Sequence, residues 1–461
     1  MAEQNHRGGG NEGPNTMFAR GIASLRDRRV RAVVHLLSGT SGTVVLSLLS
    51  ITLAARALGP KEYGVLALIL TLGQACERLL SFQSWQPLIR YGSTFEMESD
   101  SDDLRSLLKF GLMLDFAGSA AAWLVSSLLA IASHFVLAVP WSTVTVALIF
   151  MSALLFNLNG TATAIFRLAG RFRTVAHVQV ITALMRLIAS AIAFAAGAGL
   201  LGFVLVWAAT QAAGSLLNII FALRPLKWQG VGRIAGASLH GMSYRFPELW
   251  RFTWGANFSL TIWASAQQVD TLIVGWLADP ASAGMFHIAK RISRVVQQIG
   301  SQVEAVVYPD LSRLWAQGKR SKFVSTLLQT EVILALFGAT CFLASLLMAE
   351  QVMRWTAGAA FAAAAPLLTM QILAVSLTIT GSASRAGLLA MGRQPAILRT
   401  VLAAAATFYC AVAPLIQLMG AMGANVAHTL FGAVWLTGLT LALRQGLKSH
   451  AVAAEPEIAV R

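Results

Sequence analysis

Apolar stretches of about twenty residues recur along almost the whole chain, separated by short polar loops. A helix of that length crosses the roughly 30 Å hydrocarbon core of a bilayer. Of the 461 residues, 56% are hydrophobic and 12% are charged, whereas about 25% of the residues of a soluble protein are charged. The pattern therefore predicts an all-α integral membrane protein.

The order of the stretches predicts about twelve transmembrane helices in two six-helix bundles. We expect a disordered cytoplasmic tail at 1–25, an N-terminal bundle at 26–222, a cytoplasmic linker with an interfacial helix at 223–250, a C-terminal bundle at 251–445 and a cytoplasmic tail at 446–461. The individual spans are predicted near 32–57, 62–86, 106–136, 142–168, 174–197, 200–222, 251–277, 281–307, 322–348, 361–389, 396–418 and 422–444.

The basic residues indicate an orientation. If the N-terminus is cytoplasmic, the outer loops hold only Arg56, Lys61 and Arg354, and the other loop cations lie inside. This distribution follows the positive-inside rule and, with an even number of spans, predicts two cytoplasmic termini. It also explains the net charge of +15 through topology and contact with anionic lipids, so we expect membrane lipids as partners and no nucleic acid.

An internal repeat supports the division into halves. The segment from Thr52 to Gly64 parallels the segment from Thr271 to Gly284 at an offset of about 220 residues. It relates spans one and two to spans seven and eight in the same orientation. Two such halves imply a pseudo-twofold axis along the membrane normal, the architecture of an alternating-access transporter with a central cavity.

Span eight carries several cations at helical spacing. His287, Arg291 and Arg294 follow one face, and Lys290 flanks it. A charge near the bilayer centre costs at least about 2.5–3.5 kcal/mol, so such residues usually face a water-filled cavity or a partner. Asp270 in span seven lies at a comparable predicted depth and neutralises one cation at most. We therefore predict a cationic cavity for an anion; the alternative is that these charges pair with carboxylates on neighbouring spans.

Other ionisable residues in the predicted spans have two interpretations. Arg78 and Glu77 in span two form either part of a site or a local structural pair, and Arg186 in span five either binds an anion or hydrogen-bonds a kinked backbone. Glu331 in span nine is a candidate proton carrier. The amides of span four, including Asn157, are typical of hydrogen bonds between helices.

No catalytic motif is present in a suitable context. The chain has no Walker, GxSxG, HExxH or Rossmann signature, and its histidines lack metal-ligand spacing. Cys76, Cys341 and Cys410 lie in separate apolar segments, as packing residues do. We therefore expect no catalytic residue, no metal and no cofactor, and a secondary-type transporter rather than an enzyme.

Five short segments, in order, resemble the polysaccharide transporter family of the multidrug/oligosaccharidyl-lipid/polysaccharide exporter (MOP) superfamily. Members of that family flip undecaprenyl-pyrophosphate-linked oligosaccharides across the bacterial inner membrane for the assembly of lipopolysaccharide O-antigen, capsule or exopolysaccharide. The chain departs from the family at Phe286, where tyrosine is common. The segments are Arg56–Gly64, Leu88–Gly92, Asp270–Gly275, Gly284–Ala289 and Tyr308–Arg313.

The resemblance implies a V-shaped, cation-lined cavity between the bundles. Guanidinium groups match phosphate oxygens in geometry, so this lining suits a pyrophosphate. The resemblance also implies a location in the bacterial inner membrane, a lipid-linked oligosaccharide as substrate, and a polysaccharide polymerase and a chain-length regulator as partners. The predicted site comprises Arg291, Arg294, Lys290, Arg78 and Arg186 for pyrophosphate, Gln267, Gln268, Asn257 and Gln298 as sugar or cavity polar contacts, and Asp270, Glu77 and Glu331 as charge partners or coupling groups.

Three other functions are weighed against this one. A cation-coupled multidrug exporter of the same superfamily would want cavity carboxylates, commonly an aspartate in span one, which this span lacks. A flippase for the peptidoglycan precursor generally carries two further spans. A non-transporting membrane scaffold of a glycan synthase complex has no reason to tolerate buried cations.

Overall fold

The computed structural model describes residues 28–82, 84–93, 102–228, 234–251, 253–254 and 268–454, and within them the chain is helical with no β-strand. The predicted tail at 1–25, Asn257 and Gln267 lie outside the described residues. The helices are α1 (Arg28–Leu80), α2 (Trp85–Gly92), α3 (Asp102–Leu137), α4 (Trp141–Ser152), α5 (Asn159–Leu168), α6 (Phe172–Ala195), α7 (Leu200–Trp228), α8 (Met242–Arg245), α9 (Asp270–Leu277), α10 (Pro280–Ala316), α11 (Arg320–Ala357), α12 (Ala365–Ala390), α13 (Gln394–Met419) and α14 (Ala421–Ala454).

The described part of the chain contains nine helical segments long and apolar enough to cross a membrane. One of them includes the kink of α1, where Gly59 has a φ of 67° directly before Pro60, so α1 accounts for spans one and two. Helix α10, which is span eight and carries several charged side chains, is not among the nine. When α1 is counted as two spans and α10 as one, eleven of the twelve predicted spans are accounted for, and α9 is the described helix of span seven. The prediction of an all-α membrane protein is confirmed.

The helices pack in two groups. Helices α1 to α7 form the N-terminal group, in which α1 contacts α3 and α6, and helices α9 to α14 form the C-terminal group, in which α14 contacts α12 and α13. The groups meet chiefly along α1, which packs against α9, α10 and α11. This arrangement leaves space between the groups on one side of the α1–α10 contact.

Helices α1 and α10 cross through glycines. A Cβ on Gly64 would lie 1.7 Å from the carbonyl oxygen of Pro280, and a Cβ on Gly284 would lie 2.6 Å from that of Pro60. Gly64 and Gly284 are 220 residues apart, and so are Pro60 and Pro280, so repeat-related residues contact each other reciprocally. The pseudo-twofold axis therefore passes through this crossing. We call the side of this crossing that holds the kink of α1 at Pro60 and the start of α10 at Pro280 the closed end.

Predicted span four is interrupted. Helix α4 ends at Ser152, a 3-10 turn covers Ala153–Phe156, and α5 begins at Asn159. The span predicted near 142–168 is present at Trp141–Leu168, with a break inside it where Asp115 of α3 caps a new helix start. Its carboxylate accepts hydrogen bonds from the Thr161 backbone N–H at 2.7 Å and from the Thr161 hydroxyl at 2.8 Å, which satisfies a backbone donor that a helix start leaves unpaired.

The segment between the two groups packs on the N-terminal group. Arg245 of α8 forms an ion pair with Asp103 at 2.8 Å. The Lys109 ammonium donates to the carbonyl oxygen of Ala237 at 2.8 Å. Nearby, Tyr244 is 92% exposed, and an exposed aromatic beside basic residues suits the headgroup layer predicted for this segment.

A cationic cavity between the two groups of helices

A cavity of about 630 Å³ lies between α1, α10, α12 and α14. It is on the side of the α1–α10 crossing away from Pro60 and Pro280. Its lining combines serine and threonine hydroxyls, two aromatic rings on α14, and three amides. Four guanidinium groups and one carboxylate also line it within the described ranges: Arg78, Arg291, Arg294, Arg385 and Glu304.

The arginines of α10 lie deep between the groups. At 1.5 Å per residue, Arg291 and Arg294 lie roughly 10 and 15 Å along α10 from the Gly284 crossing. Arg385 forms an ion pair with Glu304, whereas Arg78, Arg291 and Arg294 form no ion pair with any carboxylate that the structure describes. The described lining therefore carries three arginines outside any described ion pair around an open space.

Lys290 has a different environment from its neighbours. Its ammonium contacts Asp270 Oδ2, and His428 Nε2 lies 2.8 Å from the same oxygen. The other carboxylate oxygen of Asp270 accepts the backbone N–H of Thr271 at 2.6 Å. Lys290 and Asp270 are almost fully buried, and Lys290 borders a small void of about 30 Å³ beside the main cavity. Asp270 thus pairs with Lys290, whereas Arg291 and Arg294 line the cavity.

Three predicted residues lie away from the lining of this cavity. Arg186 donates its Nε–H to the Thr210 hydroxyl at 3.1 Å, and its guanidinium lies 5.9 Å from the ring centroid of Trp207. Glu77 accepts a hydrogen bond from the Gln211 amide at 3.4 Å, and Glu331 accepts one from the Ser384 hydroxyl at 3.3 Å.

The predicted amides divide as well. Gln268 and Gln298 line the cavity, together with Gln297, whereas Asn257 and Gln267 fall outside the described residues. The structure thus brings Arg78, Arg291, Arg294, Gln268 and Gln298 together at one site.

The sequence interpretation missed four residues at or near the cavity. Phe431 and Trp435 of α14 line it with stacked rings 6.3 Å apart. His428 is a titratable group inside a predicted span, so the rule for intramembrane ionisable residues would have found it. The hydroxyl of Tyr63 lies 2.8 Å from His287 Nδ1. No sequence feature distinguishes Tyr63 from another tyrosine beside a loop. Among the residues that the structure describes, no cluster of metal ligands occurs.

An all-helical membrane fold with two repeat-related groups of helices around a polar cavity is shared with solved membrane transporters. The fold of this chain is similar to that of a MATE-family multidrug transporter in an inward-facing conformation, with a TM-score of 0.69, 13% identity, and coverage of 88% of this chain and 96% of the other. It is also similar to the lipid II flippase MurJ in an inward closed conformation, with a TM-score of 0.68, 13% identity and coverage of 89% and 87%.

The chain belongs to the family described as polysaccharide biosynthesis protein, whose profile matches residues 53–366. A relative is the inner membrane protein YghQ of Escherichia coli (strain K12). It is 24% identical over 279 residues, which cover 60% of this chain and 78% of the relative. The resemblance to MOP-superfamily polysaccharide transporters is thereby confirmed.

Proposed function

We propose that this protein flips undecaprenyl-pyrophosphate-linked oligosaccharide repeat units from the cytoplasmic to the periplasmic leaflet by alternating access. The product would serve the assembly of surface polysaccharide, either exopolysaccharide, capsule or O-antigen. The observation that carries the proposal is the cavity of about 630 Å³ with three arginines that form no ion pair with a described carboxylate. Cations inside a membrane are costly unless they face a water-filled cavity or a partner, so an anionic guest explains them.

A lipid-linked pyrophosphate fits the charge and the geometry of the lining. Guanidinium groups bind phosphate oxygens through two parallel hydrogen bonds, and such charge-assisted bonds are roughly twice as strong as neutral ones. The amides of Gln268, Gln297 and Gln298 and the hydroxyls of Ser47 and Ser382 face the same space. These groups would hydrogen-bond the sugar hydroxyls, while the polyprenyl chain stays in the lipid.

The loop charges orient the transport cycle. Under the positive-inside rule the closed end faces the periplasm, and both termini are cytoplasmic. The cavity would take the pyrophosphate-sugar head from the inner leaflet, the anion would neutralise the mutually repelling arginines, and the halves would rock about the crossing to release the head outside. A polysaccharide polymerase and a chain-length regulator would act on the product.

The net charge of the lining disfavours the rival transport function. A cation-coupled multidrug exporter moves cationic amphiphiles, and the four arginines and one carboxylate of the described lining would repel them. A non-transporting membrane scaffold would not explain why the chain keeps arginines outside any described ion pair inside the membrane, where a charge is costly.

Neutralising the α10 arginines tests the proposal. Arg291→Ala and Arg294→Ala should each abolish polysaccharide export in a deletion strain and reduce flipping of lipid-linked oligosaccharide in proteoliposomes by about tenfold or more, because each removes a charge-assisted contact. Protein levels should stay normal. Arg313→Ala is the matched control, since Arg313 lies on the same helix with 73% of its side chain exposed. Full complementation by both cavity variants would refute the anion-cavity mechanism.

A further inference from the structure

Tyr63, His287 and Arg291 form a hydrogen-bonded chain between the closed end and the cavity. The Tyr63 hydroxyl lies 2.8 Å from His287 Nδ1. The Arg291 Nε–H group donates to His287 Nε2 at 3.3 Å. Tyr63 and His287 are 2% and 5% exposed, whereas Arg291 lines the cavity. One end of the chain therefore joins α1 to α10, and the other end reaches the space where an anion would bind.

The donor and acceptor roles in this chain are fixed by the arginine. A guanidinium nitrogen has no lone pair to accept a hydrogen bond, so His287 Nε2 must be the acceptor. A neutral imidazole carries its single proton on the other nitrogen, so His287 Nδ1–H donates to the Tyr63 oxygen. Arg291 donates its Nε–H to His287, so its two terminal amino groups remain available to a guest in the cavity.

The bond between Tyr63 and His287 belongs to the contacts that join the two groups of helices at the closed end. The Tyr63 ring also packs edge-on against Phe361, with centroids 5.7 Å apart, and the Arg56 guanidinium donates to the carbonyl oxygen of Trp355. These contacts surround the Gly64–Gly284 crossing. Access from this end requires all of them to separate, because each joins the N-terminal to the C-terminal group.

We propose that this chain couples anion binding in the cavity to opening of the closed end, with His287 and Tyr63 as positioning residues. The inference rests on the proposed function for the identity of the anion. Phosphate oxygens are stronger acceptors for a guanidinium than a neutral imidazole is. An anion therefore draws Arg291 into the cavity and away from His287, and the imidazole loses the contact that orients it toward Tyr63. The anion binds more tightly to the state in which Arg291 is released, and so it shifts the population toward the open end.

Thiol labelling of the closed end tests the coupling without a transport assay. Ala283 is fully buried beside Gly284, so Ala283→Cys, in a background without the three native cysteines, reacts with a maleimide only when the crossing opens. The protein is held in lipid nanodiscs, and inorganic pyrophosphate is the probe. In the otherwise unchanged protein, pyrophosphate should raise the labelling rate about fivefold, the effect of losing roughly one hydrogen bond.

Two variants separate the two bonds of the chain. Tyr63→Phe removes the bond between the groups and keeps the ring against Phe361, so labelling should be fast with and without pyrophosphate. His287→Asn keeps an N–H donor and shortens the reach toward Arg291, so the labelling rate should be the same with and without pyrophosphate. Tyr91→Phe is the matched control, because it removes a tyrosine hydrogen bond of 2.7 Å to Pro247 far from the closed end, and it should behave like the parent.

The outcomes distinguish the coupling from the proposed function. Unchanged labelling in Tyr63→Phe, or no response of the parent to pyrophosphate, overturns the coupling. If labelling responds as expected and the purified protein still moves no lipid-linked oligosaccharide between leaflets, the coupling to an anion stands and the proposed substrate is wrong.

Discussion

At the scale of single residues, neighbouring cations on α10 have opposite environments. Lys290 is buried against Asp270 and His428, and Arg291 and Arg294 face an open cavity. Helical spacing predicted that the arginines share a face. It could not predict that Asp270 pairs with Lys290 rather than with an arginine. His428, which also contacts Asp270, lies 158 residues from it in sequence, beyond the reach of helical spacing.

The buried pair of Lys290 and Asp270 predicts unequal effects of single and double substitution. Asp270→Ala leaves a buried ammonium without its carboxylate and should cost about 3–5 kcal/mol of the free energy of unfolding, and adding Lys290→Met should restore much of it. Unfolding in detergent measures both. Glu350→Ala, which removes the half-exposed partner of Arg354, should cost less than about 1 kcal/mol. Equal losses in the buried and exposed variants would contradict this assignment.

At the scale of secondary-structure elements, two helix starts are set by aspartates. Asp115 caps α5 from a neighbouring helix, and Asp279 caps α10 from its own chain, accepting the Ser282 backbone N–H at 3.0 Å. Partial burial raises the pKa of the Asp279 carboxyl, but the hydrogen bonds from Ser282 outweigh it and hold that pKa below its usual range. This cap is therefore intact at neutral pH and is lost as the pH falls through the lowered pKa. Only the second cap has a local sequence pattern, an aspartate directly before a proline at a helix start, whereas Asp115 reaches α5 from another helix.

The two caps should differ in their contribution to stability. Asp115→Ala leaves the buried Thr161 N–H and the Ser84 hydroxyl, which donates to Asp115 at 2.5 Å, without acceptors. It should cost about 2 kcal/mol or more. Asp279→Ala exposes one helix start to water and should cost about 1 kcal/mol. Melting of the two purified variants, side by side with the parent, checks the order, and a larger loss in Asp279→Ala would show that Asp115 does not hold α5.

At the scale of the whole molecule, the repeat brings glycines together on the pseudo-twofold axis. Each half contributes a proline at a helix start and a glycine one turn later, and the reciprocal contact joins the halves at the closed end. Small residues allow such close approach of two membrane helices. The cavity on the other side exists because the groups meet at this crossing and diverge beyond it.

A side chain at the crossing should therefore push the halves apart. Gly64→Ala places a methyl group against the Pro280 carbonyl and should destabilise the protein by about 1–3 kcal/mol, seen as a lower melting temperature. Gly42→Ala, in the same helix, meets no atom within 4 Å and should be neutral or slightly stabilising. Identical melting of the two variants would mean that the crossing is looser than the structure indicates.

The sequence by itself determined the membrane class, the offset of the repeat and the face of α10 that carries cations. These properties are local, since hydropathy and helical spacing act within about twenty residues. Only the tertiary structure decided that Lys290 pairs with Asp270 while Arg291 and Arg294 face the cavity, that Asp115 interrupts span four, and that Tyr63 meets His287 across the halves. Each of these depends on a partner from another helix, and the free energy of a buried polar group is set by the partner that packing brings to it.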